Sequence, residues 1–257
     1  MSTFLKLLEL YEGEGFSVRT GLYPLHFPGA DQSDLPFTYF YKNGVRACKG
    51  GGIAITEILC IETLIAAKPP ANILVIGNAF GWSTLALAVA APGARVVALD
   101  WCPRQEEREG INLTNRLAKK AGLNAMAVEG KSPEDVASLA ADYFPSPVDL
   151  VFIDGGHTND QQRLDFDACK AVASADAVFL FHDVINFALT KGFVAIAADN
   201  PTYTGRILFR TPSGMAVLYP SALDGTVGRA ASAFGEAEEH VRELWSANRE
   251  RAAGTAA

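Results

Sequence analysis

Two short stretches of the chain carry side chains suited to proton transfer or cation binding: Asp154-Gly155-Gly156-His157 and His182-Asp183. Each closes an apolar run, Leu150-Val151-Phe152-Ile153 in the first case and Val178-Phe179-Leu180-Phe181 in the second. Runs of this kind read as buried parallel strands. In open α/β sheets, ligands bind just beyond the carboxyl ends of such strands. Neighbouring strands would therefore deliver Asp154, His157, His182 and Asp183 to one crevice. Asp154 and Asp183 are hard oxygen donors that suit Mg²⁺ or Ca²⁺, and His182 as a further ligand moves the preference toward a transition metal. His157 sits on a Gly-Gly turn, and an imidazole with an ordinary pKa of about 6.5 is fit to act as a general base. The plainer reading makes these residues helix caps and a core imidazole. Two such groups on adjacent strand ends favour chemistry.

A second group lies upstream. Ile76-Gly77-Asn78-Ala79-Phe80-Gly81-Trp82-Ser83-Thr84 places glycines at a strand end and at a helix start. That arrangement allows a tight turn and close approach of a ligand to the positive helix end. Asp100 ends the following strand, where a carboxylate can accept ribose hydroxyls, and Trp101 beside it could lie against an adenine face. Glu129-Gly130-Lys131-Ser132 ends the third strand, where it either meets the adenine edge or only caps a helix. Neither Gly-x-Gly-x-x-Gly nor Gly-x-x-x-x-Gly-Lys-Ser/Thr is present. His26, in an N-terminal loop, and His240, on a charged C-terminal helix, are weaker candidates.

The elements that must position these groups alternate along the chain. Strands are expected at 72–76, 94–99, 124–128, 150–153 and 178–181. Helices are expected between them: 82–91, one opened by Pro103, one opened by Ser132-Pro133, one from Thr158 to Val172, and one from about Asn186 to Ala198. Gly205–Phe209 and Met215–Tyr219 read as a hairpin. Phe4–Leu10 reads as a short amphipathic helix, 12–52 as a long loop of functional type, Ile53–Ala67 as a buried helix, and Phe234–Trp245 as an amphipathic one. This order predicts an α/β fold, a doubly wound and mostly parallel sheet with helices on both faces and a C-terminal antiparallel hairpin strand.

The bulk numbers agree with a globular chain. Of 257 residues, 49% are apolar and 20% charged, and the net charge of −7 argues against a nucleic-acid partner. No apolar stretch is long enough to span a membrane. The N-terminus lacks signal-peptide character, and four cysteines without a Cys-x-x-Cys pair suit a cytoplasmic protein with reduced thiols.

Taken together, these residues resemble the class I S-adenosylmethionine-dependent methyltransferases, and within them the metal-dependent small-molecule O-methyltransferases of the catechol, cephalosporin-biosynthesis and macrolide-sugar type. Leu74-Val75-Ile76-Gly77 through Ser83-Thr84 is similar to the family's first motif, Asp100 to its ribose-binding acid, and the two strand-end boxes to its fourth and fifth strand ends. The resemblance implies a Rossmann-like seven-stranded sheet over residues 53–220, with an N-terminal helix and lid or substrate segment over 1–52 and a C-terminal helix and tail over 221–257. It implies S-adenosyl-L-methionine held by Gly77, Asn78, Ala79, Phe80, Gly81, Ser83, Thr84, Asp100, Trp101, Gly130, Lys131, Ser132 and Asp154. It implies Mg²⁺ or another divalent metal on Asp154, His182 and Asp183, and catalysis by His157 with Asp154. Val75, Ala79 and His182 depart from the family pattern, which has an acid, a glycine and an acid there. The expected activity is methylation of a small-molecule hydroxyl by a homo-oligomer with no nucleic-acid or membrane partner. A metal-dependent hydrolase or lyase, and a non-catalytic binding protein on the same fold, are the alternatives.

Overall fold

The computed structural model describes residues 1–31 and 33–254. The chain opens with α1 (Thr3–Glu12), whose first turn is capped by the Ser2 hydroxyl accepting from the Leu5 amide. The segment expected to be a loop instead holds a small antiparallel sheet of β1 (Ser17–Arg19), β2 (Tyr39–Lys42) and β3 (Val45–Arg46). These strands are two to four residues long, too short for alternation to signal them in the sequence. From there α2 (Ile55–Ala67) leads into the main sheet.

That sheet has seven strands. In chain order they are β4 (Asn72–Ile76), β5 (Arg95–Asp100), β6 (Ala125–Glu129), β7 (Val148–Ile153), β8 (Ala173–Phe181), β9 (Tyr203–Ile207) and β10 (Ala216–Pro220). In space the order is β6-β5-β4-β7-β8-β10-β9. The first five are parallel, and β10 runs antiparallel to both β8 and β9. The hairpin expectation holds, with both strands displaced by a residue or two. The chain leaves β4 toward β6 and returns on the other side at β7, so the order reverses between β4 and β7. Crevices form at such reversals.

Alternation along the strands sorts the core into two layers. Ile73, Val75, Val96, Ala98 and Phe152 face α1, α2, α3 (Trp82–Ala90) and α4 (Gln105–Ala121). Leu74, Ile76, Val97, Val151, Ile153 and Phe179 face α5 (Val136–Tyr143), α6 (Asn159–Val172) and α7 (Thr190–Ala198). Both faces of the sheet are buried, so its strands read as unbroken apolar runs. Among the described residues two further α-helices follow β10: α8 (Arg229–Ser232) and α9 (Glu238–Gly254). Among the described residues no helix is long and apolar enough to cross a membrane, and all four cysteines are free.

Three helix starts differ from expectation. Pro103 does not open α4; Arg104 caps it, and the Glu107 carboxylate accepts from the Arg104 amide at 2.8 Å. Ser132 does not cap α5, which begins at Val136; its hydroxyl donates to Asp165 instead, at 2.6 Å. Likewise α7 begins at Thr190 rather than near Asn186, because the chain first turns through 184–189. For α5 and α7 a side-chain hydrogen bond or turn outside the helix takes the place of the local start signal, whereas α4 keeps a local cap that falls just after the proline.

Candidate active site

Parallel pairing continues one residue past each strand end and aligns the site. The Gly130 amide donates to Asp100 O, the Gly77 amide to Leu99 O, the Asp154 amide to Ile76 O and the His182 amide to Ile153 O, all between 2.8 and 3.0 Å. Gly130, Asp100, Gly77, Asp154 and His182 therefore stand in a row across five adjacent strands. Strands are spaced by about 4.8 Å, so the row crosses the sheet in small, regular steps.

One half of the row borders a cavity of about 580 Å³ at the strand reversal. Its floor is the turn Gly77–Phe80 with Ser83, and one end is Asp100, Trp101 and Gly130–Ser132. Asp154–Gly156 closes the other side, and Cys48–Gly52 forms a wall. The turn is tightly specified. Gly77 has φ +90°, and a side chain there would strike the Asp154 carbonyl; Gly81, at φ +83°, would strike Thr114. Ala79 keeps a left-handed φ of +44° even without glycine. Asp100 braces the turn: its Oδ2 accepts from the Asn78 and Ala79 amides at 3.0 and 2.7 Å, leaving Oδ1 for a ligand. Burial raises the Asp100 carboxyl, against the lowering effect of those two amides.

Some expected contacts are supports rather than cavity walls. Thr84 is buried behind the turn and donates to Asn78 Oδ1 at 2.9 Å, and Gly81 serves as the N-cap of α3. Neither lines the cavity. The Asn78 side chain is likewise tied to Thr114, although the residue lines the cavity. Trp101 is 60% exposed at the rim, its ring 5.1 Å from the Lys131 ammonium. Beyond Ser132, the cavity end also includes Gln161 and Asp165, which the sequence reading missed. Asp165 Oδ1 accepts from Ser132 Oγ and Gln161 Nε2, whereas buried Oδ2 has no hydrogen-bond partner among the described residues.

The other half of the row is a cluster of carboxylates and imidazoles on the far side of Asp154. Asp154 Oδ1 lies 3.2 Å from His182 Nδ1 and 3.6 Å from His157 Nε2. Asp183 Oδ2 lies 3.4 Å from each of the same two nitrogens. Asp183 reaches this position from a left-handed backbone, φ +57°, a conformation that persists at functional sites when its surroundings enforce it. The His157 ring stacks on Phe187, with centroids 4.0 Å apart. Asp154, which lines the cavity, thus joins the two halves.

A residue that the sequence reading missed completes the cluster. Glu57 of α2 is fully buried, and its Oε2 lies 3.2 Å from His182 Nε2. The same carboxylate accepts from the Ala54 amide at 2.8 Å, the Ser213 amide at 3.0 Å and the Ser213 hydroxyl. One signal was available. Glu57 falls on the helix face of Ile61 and Leu64, where a lone carboxylate among apolar residues requires a buried partner.

Electrostatics follow from this crowding. Burial opposes charge on His182, but Asp154 and Glu57 outweigh it and hold the imidazole well above its ordinary value. Burial likewise opposes the Asp154 carboxylate, yet His182 and His157 bring its pKa down to about 2. The nearby Asp154 carboxylate raises His157, with burial acting against it. Glu57, despite burial, is lowered by His182 and its hydrogen bonds. The donor set also fits a divalent ion. Ligand atoms of Asp154, His182 and Asp183 all lie within 4.8 Å of one another. A cation at Nδ1 would replace the proton that His182 otherwise carries there.

Residues 74–184 match the family model of a methyltransferase domain. The matched segment is 111 of the chain's 257 residues. It contains the cavity floor, Asp100, Asp154, His157, His182 and Asp183, while Glu57 lies outside it. The fold is similar to that of three solved methyltransferases. One is the O-methyltransferase TomG from Streptomyces achromogenes, solved with SAM: 20% identity, TM-score 0.55, covering 66% of this chain and 81% of that one. Another is an O-methyltransferase from Bacillus cereus in complex with SAH, at 19% identity and TM-score 0.53, covering 65% and 82%. The third is SAH-bound PaMTH1 from Podospora anserina, at 17% identity and TM-score 0.54, covering 84% and 88%. No curated protein matches the chain in sequence.

Proposed function

We propose that the protein transfers the methyl group of S-adenosylmethionine to a hydroxyl of a small molecule. The observation that carries this reading is the row across the strand ends. It sets a carboxylate suited to ribose, Asp100, and an imidazole suited to deprotonation, His157, on either side of Asp154. Methyl transfer from a sulfonium needs little from a protein beyond alignment, a base and placed charge.

The residues divide the work. Asp100 Oδ1 accepts a ribose hydroxyl while Oδ2 keeps the turn closed. Trp101 offers its exposed face to adenine, and unpartnered Asp165 Oδ2 would accept from the exocyclic amino group. The methionine end lies along Gly77–Phe80 toward Asp154. His157 takes the acceptor's hydroxyl proton at Nε2, and Phe187 and Asp183 hold its ring in place. Asp154, His182 and Asp183 would hold a divalent ion, which when bound lowers the pKa of a substrate hydroxyl. We also propose a cytoplasmic location and self-association.

Calorimetry with S-adenosylhomocysteine tests the reading, using Asp100→Asn. The amide oxygen of the variant still accepts from the Asn78 and Ala79 amides, so the turn survives, but the charged acceptor for ribose is gone. Binding should weaken about 10-fold or more, since a hydrogen bond to a charged group contributes about 1.5–3 kcal/mol. Equal binding by the variant contradicts the ribose role, and no binding by the wild type contradicts the function.

A further inference from the structure

We infer that Glu57 is a positioning residue that fixes which nitrogen His182 presents, and that the Glu57–His182 pair turns the Asp154–His182–Asp183 cluster into a site for a first-row transition ion rather than for Mg²⁺. The inference rests on the proposed function only in placing a cation beside the acceptor site.

The geometry is specific. The His182 side chain is 4% exposed and Glu57 is fully buried. Glu57 is itself held from three other directions, by the Ala54 amide and by the amide and hydroxyl of Ser213. All three are donors, so Glu57 cannot turn away from His182 without leaving some of them unpaired. A carboxylate fixed at Nε2 keeps the hydrogen on that nitrogen. Nδ1 is then the atom that faces Asp154 Oδ1 and Asp183 Oδ2, at 3.2 and 3.4 Å. Metal-bound histidines are held by such carboxylate partners on the nitrogen that does not ligate, which fixes the tautomer and strengthens the donor. Imidazole nitrogen in a donor set suits Zn²⁺, Fe²⁺ or Ni²⁺, whereas Mg²⁺ prefers an all-oxygen shell. Glu57 lies on α2, outside the strand ends that supply the rest of the cluster. It makes a histidine workable where the resembled family carries an acid.

The test uses the full-length protein stripped with a chelator. Zn²⁺, Mn²⁺ and Mg²⁺ are titrated separately by calorimetry into the wild type and Glu57→Gln, with S-adenosylhomocysteine affinity measured in parallel as the check on folding. The wild type should bind Zn²⁺ at least roughly 10-fold more tightly than Mg²⁺. Glu57→Gln should lose about 10–100-fold in Zn²⁺ affinity while its S-adenosylhomocysteine affinity is unchanged. Nitrogen-15 spectra of histidine-labelled, Zn²⁺-loaded wild type should show His182 ligating through Nδ1 with Nε2 protonated. That reading does not depend on the variant folding. Tighter Mg²⁺ than Zn²⁺ binding, undiminished Zn²⁺ affinity in a folded Glu57→Gln, or coordination through Nε2 would each overturn the inference. Loss of S-adenosylhomocysteine binding in the wild type, with Zn²⁺ binding as described, would instead remove the proposed function and leave the metal assignment standing.

Discussion

His182 Nε2 and Glu57 Oε2 meet at 3.2 Å although 125 positions separate them in the chain, and neither side chain has appreciable access to water. The contact ties α2 to the end of β8. A charged pair at this depth stabilises little over an apolar replacement, but removing the carboxylate is costly because His182 Nε2 and the other donors to Glu57 stay buried without an acceptor.

Glu57→Leu should therefore destabilise the protein by about 3–5 kcal/mol, since His182 and the Ala54 and Ser213 amides all lose their acceptor. Urea unfolding of the two proteins gives the comparison. Arg163→Ala, which removes exposed contacts to Asp167 and Asp199, should cost no more than about 1 kcal/mol in the same assay.

Stability of the chelator-treated protein should depend on pH through the same pair. Glu57 titrates below its ordinary value of 4.5, so its contribution is full above that pH and is lost on further acidification. His182 titrates above its ordinary value of 6.5, so its contribution is full below that pH and fades as the solution becomes more alkaline. The stability difference between wild type and His182→Asn should thus be greatest between pH 4.5 and 6.5. A difference that grows steadily from pH 6.5 to 9 would contradict the assignment.

His157 should govern the pH dependence of turnover. The Asp154 carboxylate beside it raises its pKa above 6.5, and only the neutral ring can accept a proton. The rate should then rise with pH through a midpoint above that value. His157→Asn should lower kcat by about 10²–10⁴-fold and flatten the profile, with S-adenosylhomocysteine affinity intact.

The turn below the cavity should respond to substitution in opposite directions. Gly77→Ala puts a side chain against the Asp154 carbonyl at φ +90°, and should cost at least about 1–3 kcal/mol along with adenosyl binding. Ala79→Gly relieves a left-handed alanine at φ +44°, and should be neutral or stabilising by up to about 1 kcal/mol. Thermal unfolding of both variants settles the comparison.

The parallel strands were legible because both their faces are covered, which leaves apolar runs ending abruptly at Gly77, Asp100, Asp154 and His182. Register then brought those ends together. Elements whose stability comes from packing rather than local pattern were not legible. β1 to β3 are too short to show alternation, and Pro103 and Ser132 read locally as helix starts although Glu107 and Asp165 engage their neighbourhoods instead. Glu57 escaped notice for a related reason. Its partners, Ser213 and His182, are far along the chain, and only folding reveals that a carboxylate on an apolar helix face has somewhere to go.

At the start of the chain, the buried Tyr11 hydroxyl donates to Phe80 O at 2.6 Å, and its ring stacks on Phe40 with centroids 4.5 Å apart. The first helix is in this way bolted to the backbone that cradles the cavity floor. Peeling it outward would strip a bond from that floor and open the aromatic cluster beneath. The same anchoring reaches the cavity wall, since Gly52 packs so closely on Trp82, the ring beside Tyr11, that any side chain there would strike it.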